Sequence, residues 1–213
     1  MLKKIAKTLY FFFLHHIPFL KPIYETQSTM SPITFSGLFF QKVLGFNRKA
    51  YWPVHRNSLI VGSEYIKIGI GTAPGQSFGN YIFAKEDSPI HIGNYTIIAP
   101  NVCLAGFNHN LYDYTTYISK GGISIGNYCW IAMNCSIVPG VKLGNHTIVG
   151  ANSVVTKSFE EGYCVIGGNP ARLIKKLDPK ECVERKNEHE YYGYIKKEDF
   201  VSYQQKYLKM QEQ

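Results

Sequence analysis

Aliphatic residues recur at every sixth position along one stretch of this chain: Ile125, Ile131, Ile137, Leu143, Val149 and Val155. The next position is small at Gly126, Ala132, Gly144 and Gly150, with Val138 and Thr156 departing. Four positions after each aliphatic residue stand Cys129, Cys135, Val141, Thr147, Ser153 and then the bulky Phe159. An earlier block, Ile92–Gly93, Ile98–Ala99 and Leu104–Ala105, obeys the same rule, and Ile68–Gly69 precedes it by 24 residues, still in phase. Neither the helical nor the strand period by itself produces a repeat of six. The repeat makes sense if each hexapeptide is a short strand plus a corner, with three of them closing one triangular coil. The aliphatic residue then points inward, and residues eighteen apart stack, Ile125 over Leu143 and Ile131 over Val149. Asn and Gly at the corners, Gly126–Asn127 and Gly144–Asn145, are the residues that tolerate left-handed backbone angles. Each coil buries its apolar side only against its neighbours, as a solenoid must.

The phase breaks once. Leu104 and Ile125 lie 21 positions apart, three too many for whole hexapeptides, so the chain leaves the coil over residues 106–122 and returns. A loop projecting from a rigid scaffold is where function concentrates. His109 opens it, and an imidazole near neutrality can take a proton from an attacking hydroxyl and return it to a leaving group. Asn108, Asn110 and Asp113 are candidates to orient that ring or hold an acceptor, against the plainer reading of loop hydrogen bonding. His91 and His146 occupy outward-facing places.

The residues Ile125 to Val155, with Val165-Ile-Gly-Gly-Asn-Pro-Ala-Arg172, resemble the hexapeptide-repeat acyltransferases, in the branch of sugar and polysaccharide O-acetyltransferases related to maltose and galactoside acetyltransferases. The resemblance covers roughly residues 60–176. It implies an all-β fold, a left-handed parallel β-helix of hexapeptide repeats with short helical N- and C-terminal appendages. It also implies acetyl-CoA as donor, a sugar or glycan hydroxyl as acceptor, a role in surface polysaccharide biosynthesis, and His109 as general base. On the donor side it implies Trp130 as an aromatic wall, Met133 and Ala151 beside the pantetheine arm, and Thr156, Lys157, Arg172 and Lys175 at the nucleotide end. For the last four, a solvated basic rim is the plain alternative. A homotrimer with the coenzyme groove between subunits follows from the resemblance alone. Met133 is bulkier than the small residue usual at its position, and Phe159 is expected to end the regular coil. No metal is expected.

The alternatives are an N-acetyltransferase on an amino sugar or xenobiotic, a metal hydratase on the same fold, and a non-catalytic scaffold. The hydratase needs three converging histidines, and His91, His109 and His146 lack the paired spacing for it.

Of 213 residues, 45% are hydrophobic and 18% charged, too apolar for a disordered chain. The net charge of +8 is concentrated at one end: residues 1–57 hold eight Lys/Arg against Glu25 alone, together with twelve aromatic residues. Nucleic acid is a poor partner for this charge, since no binding motif accompanies it. Two readings of the segment remain. The first 57 residues, with Phe11–Phe13 and Phe39–Phe40, form either an interfacial segment contacting an anionic membrane through residues 1–22, or a helix packing Leu2, Ile5, Leu9 and Phe12–Phe13 on the coil or a neighbouring subunit. The second is favoured. The early lysines and apolar run imitate a signal peptide, but His15, His16 and Pro18 interrupt the run and no small-residue cleavage site follows. Five cysteines without a CxxC point to a reducing compartment, hence a cytoplasmic protein, peripheral at the inner face of the membrane under the interfacial reading. The organisation expected is a basic, aromatic segment over 1–57, the β-helix over 58–176, and a helical tail over 177–213 that caps the last coil or a neighbouring subunit.

Overall fold

The structure is a computed structural model and describes residues 20–210. Three sheets, parallel but for one final strand, form the sides of a triangular prism. The first sheet stacks β1 (Leu59–Val61), β3 (Tyr81–Phe83), β6 (Cys103–Ala105), β11 (Ser136–Ile137) and β14 (Val154–Val155). The second stacks β2 (Ile66–Ile68), β4 (Ile90–Ile92), β9 (Ile123–Ile125) and β12 (Lys142–Leu143). The third stacks β5 (Ile97–Ile98), β10 (Trp130–Ile131), β13 (Thr147–Val149), β15 (Cys164–Gly168) and β16 (Ala171–Lys176), the last antiparallel to its neighbour. The chain visits second, third and first sheet in turn, so each circuit is one coil of a parallel β-helix.

The six-residue rule sets this geometry. Ile131 pairs with Val149, Leu143 with Ile125, and Ile68 with Ile92, as the spacing predicts. Ile92 pairs with Ile125 across the inserted loop. All these side chains are buried, and so are Cys129, Cys135, Val141, Thr147 and Ser153, giving each hexapeptide two inward positions. The corner between second and third sheets corrects one expectation. The left-handed angles fall at Tyr95, Tyr128, His146 and Tyr163, not at the Asn before each of the middle two. Their rings stack coil upon coil at centroid distances of 5.3, 5.1 and 5.0 Å, so His146 is buried in a ladder and does not face outward. The asparagines instead tie coils together: Asn94 N donates to Asn127 Oδ1 at 2.7 Å, and Asn127 N to Asn145 Oδ1 at 2.8 Å. Gly126 is required by proximity, since a Cβ there would lie 2.6 Å from Asn145 N of the next coil.

Two further expectations are overturned, the end of the coil at Phe159 and a tail capping its own last coil. Phe159 does not end the coil: it bridges Leu143 in register with the second sheet, and β15 adds another strand to the third. The tail, expected to cap the last coil or a neighbouring subunit, runs back to the first. Leu177 N donates to Tyr163 O, Glu184 lies 3.4 Å from His146 Nε2, and Tyr95 Oη donates to Glu190. A short hairpin follows, β17 (Tyr191–Tyr192) and β18 (Ile195–Lys196), then α3 (Phe200–Tyr207), in place of one or two helices alone. Phe200 is buried between Tyr51 and Tyr192, and Lys209 N donates to Glu64 O. The first coil thus has its apolar end closed by Tyr51, Trp52 and Phe200, which share one core with the coil interior.

Before the coil, α1 (Lys21–Thr26) and α2 (Phe35–Leu38), the latter running into a π-helical turn over Phe39–Val43, are the described helices. The membrane or packing role considered for residues 1–22 falls almost wholly outside the described residues. Among the described residues, no helix is long and apolar enough to cross a membrane.

Candidate active site

The insertion at the corner between first and second sheets is a β-hairpin, β7 (Phe107–His109) against β8 (Tyr117–Ser119), with His109 opposite Tyr117. It leaves the coil at Gly106, whose N donates to Phe83 O, and rejoins at Gly122. Gly122 has φ +79°, and a Cβ there would overlap the Pro89 carbonyl, so only glycine closes this junction. The hairpin tip is bare: Leu111 is 90% exposed and Tyr112 99%.

His109 is exposed, its ring 4.7 Å from that of Tyr117, which in turn meets Phe107 edge-on. Its Nδ1 lies 2.6 Å from the backbone carbonyl of Tyr114. A carbonyl oxygen only accepts, so Nδ1 carries the hydrogen and the neutral ring keeps its lone pair on Nε2. Tyr114 was not among the sequence candidates; it acts through its backbone, which no side-chain pattern reveals. Asn110 and Asp113 do other work: Asn110 Oδ1 accepts from Tyr112 N, and Asp113 Oδ1 from Thr115 N and Oγ1, shaping the turn. These bonds also hold the Asp113 carboxyl below its ordinary range. Asn108 precedes His109 in the same strand, and alternation sends the two side chains to opposite faces.

Trp130, 49% exposed, stands on the outer face of the third sheet. Register places Ile97 on one side of it and Ile148 on the other, then Val165 and finally Lys175. The row is therefore an apolar ladder ending in a cation, about 15 Å from Trp130 at the usual strand spacing. Ile97, Ile148 and Val165 went unread in the sequence; the spacing of eighteen from Trp130 marks Ile148, but Ile97 and Val165 lie off that interval, across the inserted loop and after the last coil's irregular turn. Met133 and Ala151 sit one above the other at the corner between third and first sheets, where Asn152 N donates to Met133 O. Arg172 lies exposed on β16, opposite Gly167. Thr156 and Lys157 stand apart from this group, at the corner of the first and second sheets, with Lys157 Nζ 5.5 Å from the centre of the Phe159 ring. One chain therefore brings Trp130, Met133, Ala151, Arg172 and Lys175 to one side, and His109 and Lys157 to another edge.

Other reactive groups have structural duties. Burial pushes the Cys129 thiol up to about 11 and raises Cys103, Cys135 and Cys164 as well, keeping them protonated. Burial and the neighbouring Lys67 lower His91, which therefore stays neutral. Among the described residues no group of three His, Cys, Asp or Glu is placed to hold a metal ion. A cavity of about 490 Å³ opens at the last coil, but Glu160 and Glu161 line it, an unsuitable setting for phosphate.

The six-residue repeat is shared with known proteins. Residues 122–157 match the family described as bacterial transferase hexapeptide (six repeats). A chloramphenicol acetyltransferase of Klebsiella aerogenes is 38% identical over 165 residues, 63% of this chain and 78% of that one. The chain belongs to the hexapeptide-repeat transferases. It is an acyltransferase. The galactoside O-acetyltransferase of Escherichia coli (strain K12) is 28% identical over 162 residues, covering 72% of this chain and 75% of its own. A hexapeptide-repeat acetyltransferase of Vibrio cholerae, solved with acetyl-coenzyme A, has 26% identity and a TM-score of 0.46, over 65% of this chain and 77% of that one.

Proposed function

We propose that this hexapeptide-repeat enzyme transfers an acetyl group from acetyl-CoA to a hydroxyl of a sugar or glycan, in the assembly of surface polysaccharide. The observation that carries the reading is the Nδ1 contact of His109 with the Tyr114 carbonyl, which leaves Nε2 as an oriented, solvent-accessible base. Acetyl-CoA supplies a thioester, whose carbonyl is the electrophile. His109 Nε2 takes the proton of the acceptor hydroxyl as its oxygen attacks that carbonyl, and returns it to the departing sulfur. The residues of the third-sheet face fit such a donor: an apolar row for the arm, with Lys175 and Arg172 for the phosphates. Lys157 and Thr156 join them only from a neighbouring subunit.

A homotrimer is part of the same reading. The outer rows of the first sheet (Leu59, Tyr81, Cys103, Ser136, Val154) and the third (Ile97, Trp130, Ile148, Val165, Lys175) each hold a single polar or charged side chain beside apolar ones and, in the first, a cysteine, whereas the second presents Lys67, His91, Ser124 and Lys142. Two apolar sides and one polar side suit a prism with a neighbour on each of two faces. The winding sense belongs here too: hexapeptide-repeat transferases coil left-handed, and the same is proposed for this chain.

The deciding experiment measures thiol release from acetyl-CoA with glycan acceptors, for wild type and His109→Ala. Loss of turnover with donor affinity kept supports the reading, and equal turnover sinks it. Mixing His109→Ala with Trp130→Ala subunits should restore part of the activity if the site spans two chains. A second acceptor class, an antibiotic hydroxyl, is favoured by the similarity to the chloramphenicol enzyme, and the same assay with chloramphenicol as acceptor separates the two.

A further inference from the structure

The segment before the coil leaves a run of large apolar side chains in solvent. Phe35, Phe39 and Val43, spaced four apart through α2 and the π turn, are 58%, 43% and 62% exposed, and Leu44 and Phe46 continue the patch. The opposite side of this element is locked. Leu38 packs on Ile23 and Ile33. Gln41 is wholly buried, with its Nε2 2.9–3.2 Å from the carbonyls of Asn47, Ala50 and Trp52, and its Oε1 accepting from Val54 N and Tyr194 Oη. The apolar stripe is therefore held outward by the fold and cannot turn in without breaking these bonds.

Cations rim it. Arg48 Nη2 donates to Val43 O, Arg56 sits 4.5 Å over the Phe40 ring, and Lys49 is exposed, whereas Lys42 turns its Nζ back to the carbonyls of Arg48 and Ala50. No Asp or Glu occurs from Thr26 to Ser63. Glu25, the nearest acid in sequence, is turned away into Tyr191, Lys21 and Lys196. A second copy of the chain is a poor occupant, because self-association would set these three cations against three more. A soluble polyanion would match the charge and leave the apolar side chains in water. An anionic bilayer answers both demands, with headgroups for the cations and an interfacial region for aromatic and aliphatic side chains.

We infer that the face formed by Phe35, Phe39, Val43, Leu44 and Phe46, with Arg48, Lys49 and Arg56, docks on anionic lipid membrane. The inference is independent of the acetyl-transfer chemistry. It rests on residues 35–56 of the basic, aromatic segment. The test is co-sedimentation of the full chain with phosphatidylcholine vesicles, with and without about one third phosphatidylglycerol. Wild type should bind only the anionic vesicles and lose binding as salt rises. Lys49→Ala/Arg56→Ala should bind about 25-fold more weakly, at about fivefold per charge removed. Phe39→Ser/Val43→Ser should lose most binding while keeping wild-type melting behaviour, since both side chains are exposed. The inference fails if wild type ignores the anionic vesicles, or if both variants bind as wild type does, which would put the contact elsewhere. It also fails if the variants change the oligomeric state by sedimentation velocity, which would make the face a contact between copies.

Discussion

The coil and the hairpin that interrupts it are built on opposite terms. Inside the coil an inward side chain is stacked between two others, as Ile131 is between Ile98 and Val149, and the backbone bonds run between coils. The hairpin over residues 106–122 rests on its own strand pair, two turn-forming carboxamide and carboxylate side chains, the glycine junctions, and contacts at its base only, where Ser119 Oγ meets Ser88 Oγ and the Asp87 carbonyl and Lys85 Nζ lies 5.4 Å over the Phe107 ring. The difference teaches that the repeat supplies rigidity and, on the proposed function, leaves the departure from it to supply chemistry. An imidazole such as that of His109 can stand in solvent because the stacked core beneath does not depend on it.

The largest separation of the two should come from His109→Ala. Turnover in a thiol-release assay should fall by about 10²–10⁴, with unfolding free energy unchanged within about 0.5 kcal/mol. Ile131→Ala should do the reverse, costing about 2–5 kcal/mol in denaturant melts while the folded fraction stays active. If the two mutants behaved alike, the division between scaffold and site would be broken. Phe200→Ala sharpens the picture at the end of the coil: about 3–5 kcal/mol should be lost, and hydrogen exchange should quicken first at Ile66 and Ile68. Quickening at Ile166 instead would contradict the tail's placement on the first coil. Trp130→Ala should weaken coenzyme binding by about tenfold, in keeping with loss of a partly exposed aromatic wall. Calorimetry reads this, and unchanged affinity would misplace the donor row.

The smallest effect concerns Glu25, which joins the tail to the N-terminal segment. Burial works against its ionisation, but the Tyr191 hydrogen bond and the charges of Lys196, His189 and Lys21 outweigh it and hold the carboxyl below its usual range. A depressed carboxylate stabilises the fold at neutral pH, and that contribution fades as pH falls below about 4. Glu25→Gln should therefore flatten the acid limb of the stability curve, while wild type and mutant converge at low pH.

Much of this was readable from residue spacing. Ile125, Ile131 and Ile137 announce an inward row, and the 21-residue gap after Leu104 announces the excursion that carries His109. The spacing could not say which corner residue takes the left-handed angle. Tyr128 and His146 tolerate it because their rings stack on one another in successive coils, a contact that exists only once the coils are wound. Nor could it say that Tyr114 turns its carbonyl to His109, because every residue has a carbonyl and only the turn selects one.

What the sequence determined by itself is the repeat, and with it the strands, the inward side chains and the stacking register. These are local consequences of alternation and a fixed period, so every hexapeptide repeats the same information. What only the tertiary structure decided is where non-repeating parts attach. The apolar residues of the tail, Tyr191, Tyr192 and Phe200, require burial, but burial has no direction. The first coil received them because Tyr51 and Trp52 already presented an apolar end there, and the aromatic ladder gave the returning chain a path along the prism.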